Sequence, residues 1–201
     1  MLWTPYHAKY FAFELTQRFA SKITGDQFDD AQNLDKITAS LSDAQVDLNP
    51  HQVDAALFAL RSPLSNGVIL ADEVGLGKTI EAGIVIAQRW AERRRNILVI
   101  TPANLRKQWS QELADKFFLP SIILEKKSFD NETKLSNFQP FQQRDRIVIC
   151  SYQFARAKES YVKNINWDLV VVDEAHRLRN VYRKDNKIGN ALKSALDQRP
   201  K

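Results

Sequence analysis

Two short stretches carry the residue types needed for phosphate chemistry. The first is Ala71-Asp72-Glu73-Val74-Gly75-Leu76-Gly77-Lys78-Thr79, set between the apolar run Val68-Ile69-Leu70 and a helical pattern over about 78–93. Gly75 and Gly77 let backbone N–H groups turn toward phosphate oxygens with no Cβ in the way. The following helix adds unsatisfied N–H groups and the positive end of its dipole. The nucleotide-binding set is therefore Gly75, Leu76, Gly77, Lys78, Thr79 and Ile80. Lys78 brings a point charge to the β/γ-phosphates, and the Thr79 hydroxyl serves a magnesium ion. Asp72 stands where the GxxxxGK[ST] pattern has its first glycine.

The second stretch is Leu169-Val170-Val171-Val172 running into Asp173-Glu174-Ala175-His176. An apolar strand that ends in two carboxylates follows Walker B logic. Asp173 would hold Mg²⁺, mostly through its water shell. Glu174 would orient or deprotonate the attacking water, which makes Glu174, Asp173 and Lys78 the catalytic set. His176 stands too close to the acids to be ignored, and its blander reading is a helix-start histidine with a local hydrogen bond. Lys78 and Asp173 are far apart in sequence. Both motifs close apolar runs, and parallel strands gather ligands at their carboxyl ends, so the two are expected in one crevice.

That expectation requires a parallel sheet, and the chain is patterned for one. The runs Val68–Leu70, Ile97–Ile100, Ile122–Leu124, Ile147–Ile149 and Leu169–Val172 are short, β-branched and continuously apolar, as strands buried on both faces are. Helical patterns over about 78–93, 104–117, 152–162 and 186–197 separate or follow them, which is βαβ logic. The polar segment Lys126–Arg144 reads as a loop or insertion. Asn49-Pro50 starts a helix whose apolar face is Val53, Ala56, Leu57 and Leu60. Upstream, residues 1–24 read as a helix apolar nearly all round, and about 29–42 as a second, amphipathic one. Gly83 is expected to allow close helix–sheet packing, Trp109 to lie in the core with Leu105 and Leu113, and Cys150 to be a small buried apolar residue. Arg93-Arg94-Arg95 suits the C-terminal end of a helix dipole.

Composition narrows the class. The chain has 201 residues, 44% hydrophobic and 26% charged, which is ordinary globular usage. No apolar run approaches the length of a membrane span, and Met1–Tyr6 lacks the basic start and apolar middle of a signal peptide. One cysteine excludes an internal disulfide and a multi-cysteine zinc site, which fits a reducing cytoplasm. A net charge of +5 permits a polyanionic partner without choosing between DNA and RNA.

Taken together, Asp72–Thr79 and Asp173-Glu174-Ala175-His176-Arg177-Leu178-Arg179-Asn180 closely resemble the SWI/SNF-like, DEAH-box ATPases of helicase superfamily two. Ile80-Glu81-Ala82-Gly83 is most similar to their bacterial, RapA-like branch. An aspartate at the first loop position is typical of that family. Leu48-Asn49-Pro50-His51-Gln52 resembles the upstream glutamine motif, which would make Gln52 the adenine reader. Ile100–Trp109 resembles motif Ia, which contacts the nucleic-acid backbone, and Val148-Ile149-Cys150-Ser151-Tyr152 resembles the next strand-end motif. Arg106, Lys107 and Ser151 are the nucleic-acid candidates that follow.

The resemblance implies a RecA-like α/β fold, with a parallel sheet and helices on both faces. A small helical extension over 1–47 precedes the ATP-binding lobe at 48–201. The implied cofactors are ATP and Mg²⁺, and the implied partner is double-stranded DNA. The family's Ser/Thr-Ala-Thr motif and its second lobe are not in this sequence, so the chain reads as the first lobe of a longer translocase and is expected to turn over little ATP by itself. A motor for a restriction or phage-defence complex, or a non-catalytic nucleotide-binding module, are the alternatives.

Overall fold

The structure, a computed structural model, describes residues 49–61, 67–71, 77–134, 138–178 and 186–196. The helices expected over 1–24 and 29–42 lie outside these residues, as do Gly75 and Leu76. The chain divides into two compact units. One comprises Met1–Arg93 with Asp115–Phe118, and the other Arg94–Ala114 with Leu119–Lys201.

In the first unit, α1 (Pro50–Arg61) packs on α2 (Lys78–Ala91). The faces that drive this are apolar at helical spacing: Val53, Ala56 and Leu57 are buried on α1, and Ile80, Ile84, Val85 and Ile86 on α2. Gly83 sits where a Cβ would meet the Phe117 ring at 2.3 Å, so it makes room for an aromatic ring. Helix α2 stops at Ala91, and Arg93 takes a left-handed φ of 62°, its N–H donating to the Trp90 carbonyl. The arginine run thus closes a helix, as the sequence implied. Residues 67–71 depart from expectation: they are not a paired strand, and Ile69 is 88% exposed. An apolar tripeptide fixes hydrophobicity but not pairing, and these three residues lack a ladder.

The second unit is a parallel four-stranded sheet of β1 (Ile97–Thr101), β2 (Ser121–Leu124), β3 (Ile147–Ser151) and β4 (Leu169–Val172), in the order β2-β3-β1-β4. In register, Leu98 faces Val148 and Val170, and Ile100 faces Cys150 and Val172. One sheet face (Leu98, Ile100, Leu124, Val148 and Cys150) packs with Phe129, Ala155, Val162 and Leu192 from the helices. The residues of the opposite face, Ile97, Val99, Ile147 and Ile149, have no exposed area. Burial on both faces explains why the two central strands, β1 and β3, are continuous apolar runs, whereas the edge strands β2 and β4 are partly exposed.

Helix α3 (Arg106–Phe117) follows β1, α5 (Tyr152–Ala157) and α6 (Glu159–Lys163) follow β3, and α7 (Lys187–Leu196) comes last. Two corrections apply. Residues Lys126–Lys134 form a helix, α4, anchored by Phe129. Its single buried aromatic carries too little periodicity to read in sequence, whereas the Ser128 hydroxyl accepting from the Glu125 N–H fixes its start. The helix expected over 152–162 is broken at Lys158, whose N–H returns to the Phe154 carbonyl, while its ammonium sits 4.0 Å above the Phe129 ring.

At the amino edge of the sheet, Asp168 accepts from the Asn96 N–H at 3.0 Å and Asn96 donates its side-chain amide to the Asn166 carbonyl. These bonds set β1 and β4 in register. The carboxyl edge then presents Thr101, Ser151 and Asp173 together.

Candidate functional site

Asp173 is held through both its backbone and its side chain. Its N–H donates to the Ile100 carbonyl at 2.9 Å, extending the β1–β4 ladder by one residue. Its carboxylate Oδ2 accepts two bonds, from the Thr101 hydroxyl at 2.9 Å and from the Trp109 indole N–H at 2.9 Å. Its backbone carbonyl accepts a short bond from the Tyr152 hydroxyl. Burial, and after it the Asp173 charge, raise the Tyr152 phenol well above its ordinary value, which keeps it a proton donor to that carbonyl. Three segments, the end of β1, the first turns of α3 and the start of α5, therefore converge on one residue.

Glu174 follows with a left-handed φ of 53°, a backbone that a side-chain-bearing residue rarely adopts. Its Oε2 lies 3.0 Å from His176 Nδ1, and both side chains are exposed. His176 belongs to a 3-10 turn, Ala175–Leu178, which begins as the Arg177 N–H returns to the Glu174 carbonyl. The acid pair thus splits in environment: Asp173 is clamped, and Glu174 stands open to solvent beside an imidazole.

In the first unit, Gly77 has φ 91°, in the region that only glycine enters without strain. A Cβ there would fall 2.3 Å from Gln52 Nε2. Gln52 is buried, and its Oε1 accepts from the Asn49 N–H at 3.2 Å. That bond and the preceding Asn49-Pro50 place Gln52 in the first turn of α1, with its amide beside Gly77. Lys78, Thr79 and Ile80 open α2, and the Ile80 N–H bonds the Gly77 carbonyl at 2.7 Å.

These features fit a magnesium nucleotide. A glycine at φ 91° at the start of a helix that reads Lys-Thr is the shape that lets a backbone approach phosphate. Mg²⁺ carried on phosphates needs only one or two protein carboxylates and a hydroxyl. Among the described residues no three acidic, histidine or cysteine side chains converge as a full metal cage. Thr79 in the first unit and Asp173 in the second each carry an oxygen of the kind such an ion takes, and the ion would supply charge neutralisation on the phosphates.

The remaining sequence candidates fall at the carboxyl edge. Arg106 Nε donates to the Ala103 carbonyl at 3.0 Å and its guanidinium pairs with Glu125 at 3.1 Å. Lys107 is exposed beside it. The two help line a cleft of about 280 Å³ with Asn104 and Ile123. Ser151 is buried, and its hydroxyl accepts from the Phe154 N–H, capping α5. Cys150 is fully buried, and its thiol is pushed up to about 12 by that burial, with Arg106 pulling the other way. Trp109 is buried as expected, but its N–H meets Asp173. Periodicity assigns the burial and misses the bond. The available signal is that a buried indole needs an acceptor.

A parallel sheet with helices, and an acid pair just beyond its edge strand β4, define a RecA-like α/β lobe. The chain belongs to the SNF2-related domain family, which it matches over residues 20–198. It is 38% identical over 144 residues to the RNA polymerase-associated protein RapA of Serratia proteamaculans, covering 70% of this chain and 15% of that protein. It is 36% identical over 165 residues to RapA of Pectobacterium atrosepticum, covering 80% and 17%. The chain thus spans about a sixth of the curated relatives it matches. In fold it is similar to a solved Sulfolobus solfataricus SWI2/SNF2 ATPase core in complex with dsDNA, with a TM-score of 0.61 at 24% identity over 75% of this chain and 30% of that one. Among the described residues no helix is long and apolar enough to cross a membrane.

Proposed function

We propose that this chain is the ATP-binding lobe of a DEAH-box, SWI/SNF-like motor that moves on double-stranded DNA. The observation that carries the reading is a Gly-Lys-Thr helix start and a clamped Asp173 beside an open Glu174 in one SNF2-related chain. Gly75–Ile80 takes the phosphates through backbone N–H groups, and Lys78 adds charge. Thr79 and Asp173 serve Mg²⁺. Glu174 orients water, and His176, 3.0 Å from it, couples the site to the family's Ser/Thr-Ala-Thr segment. Gln52 reads adenine. Arg106 and Lys107 meet the nucleic-acid backbone in a sequence-independent way, with Ser151 on the neighbouring strand end.

DNA is favoured over RNA because the solved core of similar fold is described with dsDNA. The identity to RapA proteins favours a bacterial, transcription-associated parent over a restriction or phage-defence motor. Titration of labelled ADP in MgCl₂ tests the core of the reading. Lys78→Ala removes a charge-assisted contact worth about 1.5–3 kcal/mol and should weaken binding roughly ten- to a hundredfold. Equal affinity in the variant would remove Lys78 from the site.

A further inference from the structure

Trp109 and Thr101 lie outside every role assigned above, yet both spend a polar hydrogen on the same oxygen of Asp173. The Asp173 backbone is fixed by the Ile100 carbonyl and the Tyr152 hydroxyl, which leaves the carboxylate its own side-chain rotations. The two donors come from different elements at 2.9 Å each and leave it one orientation. Both take Oδ2, and Oδ1 makes no hydrogen bond among the described residues. A metal-bound carboxylate whose other oxygen is pinned by two neutral donors is the usual outer-shell arrangement of metal sites.

We infer that Trp109, with Thr101, is the positioning pair that presents the Asp173 carboxylate to magnesium. The inference rests on the reading of Asp173 as the magnesium residue. Trp109 lies one turn into α3, the helix whose first residues are Arg106 and Lys107. The carboxylate is thereby tied to the same helix as the candidate nucleic-acid contacts. Core packing accounts for the buried ring, but it does not require the N–H to end on a carboxylate; the indole of Trp167 satisfies itself on a local carbonyl, that of Val162.

The test measures labelled ADP binding to the whole chain across a magnesium titration, and again in EDTA. Trp109→Phe keeps an aromatic core and deletes the donor. It should raise the magnesium concentration at half-effect by about ten- to a hundredfold, the usual effect of losing an outer-shell partner. Affinity in EDTA should stay at the wild-type value, which a merely structural defect would not allow. Thr101→Val should shift the half-point in the same direction and Thr101→Ser should restore it. This pair decides the matter if Trp109→Phe fails to fold. Asp173→Asn is the reference. If Asp173→Asn raises the half-point while Trp109→Phe and Thr101→Val do not, the positioning role is wrong and the magnesium reading stands. If Asp173→Asn leaves it at the wild-type value, the magnesium reading itself falls and this inference with it.

Discussion

Replacing Gly83 by alanine pits two effects of known size against each other. In a free helix interior the change stabilises by about 1 kcal/mol, because glycine has more backbone freedom to lose. Here the new Cβ would lie 2.3, 2.5 and 3.1 Å from Cε2, Cζ and Cδ2 of Phe117. Carbon atoms rest about 3.5–4.0 Å apart, so the ring must retreat by roughly 1 Å or more. Phe117 is itself buried, and such overpacking costs about 1–3 kcal/mol. The net expectation is a loss of roughly 0–2 kcal/mol, opposite in sign to the propensity effect. Phe117→Leu removes the two nearest atoms. In that background Gly83→Ala should become neutral or stabilising by up to about 1 kcal/mol. The coupling between the two positions is then about 1–3 kcal/mol. Urea unfolding followed by far-UV circular dichroism resolves it, since at a slope of about 2–3 kcal/mol/M each kcal/mol moves the midpoint by roughly 0.3–0.5 M. Identical shifts from Gly83→Ala in both backgrounds would refute the claim that the glycine exists to admit the ring.

Further expectations concern the site and the core. Gln52→Ala should lower the preference for ATP over GTP in competition binding, because the amide offers one donor and one acceptor face to a base; an unchanged ratio would leave Gln52 as a helix-start residue only. Replacing Arg106 and Lys107 by alanine should flatten the salt dependence of DNA binding by about one unit per lost phosphate contact, whatever the DNA sequence. Salt-insensitive binding would contradict it. With its thiol at about 12 and fully buried, Cys150 should be silent to a disulfide reagent at pH 8 in native buffer and react as the single thiol in urea. Rapid native reaction would show that the core around β3 opens.

What could be read in the amino-acid sequence divides along a physical line. Strands β1 and β3 were legible because a strand buried on both faces demands an uninterrupted β-branched run, which Ile97–Ile100 and Ile147–Ile149 supply; the edge strand β4 carries the same kind of run, Leu169–Val172, though it is only partly buried. Helix α2 was legible from glycine, lysine and threonine ahead of an apolar stripe. Helix α4 was not, because its existence depends on one phenylalanine, Phe129, finding Phe141, Phe154 and Tyr161 around it. Val68–Leu70 shows the converse: an apolar composition without a ladder. For the candidate site, residue types pointed to Asp173 and Glu174, since two carboxylates after a strand are visible in one dimension. The donors that hold Asp173 come from 72 and 64 residues away, and no local pattern records such a pairing.

Because all four strands run the same way, the sheet has two edges of different character. Thr101, Ser151 and Asp173 occupy one edge. The turns that precede the strands occupy the other, including the exposed pair Arg144-Asp145 before β3. Arg146 and Gln143 on either side of that pair are anchored, respectively, on Glu132 and the Pro140 carbonyl. A peptide tag or a whole domain spliced between Arg144 and Asp145 would leave both anchors in place and emerge at the end of the sheet opposite Asp173. The fold thus provides a port for added modules, where new partners can be attached without disturbing the residues around Asp173.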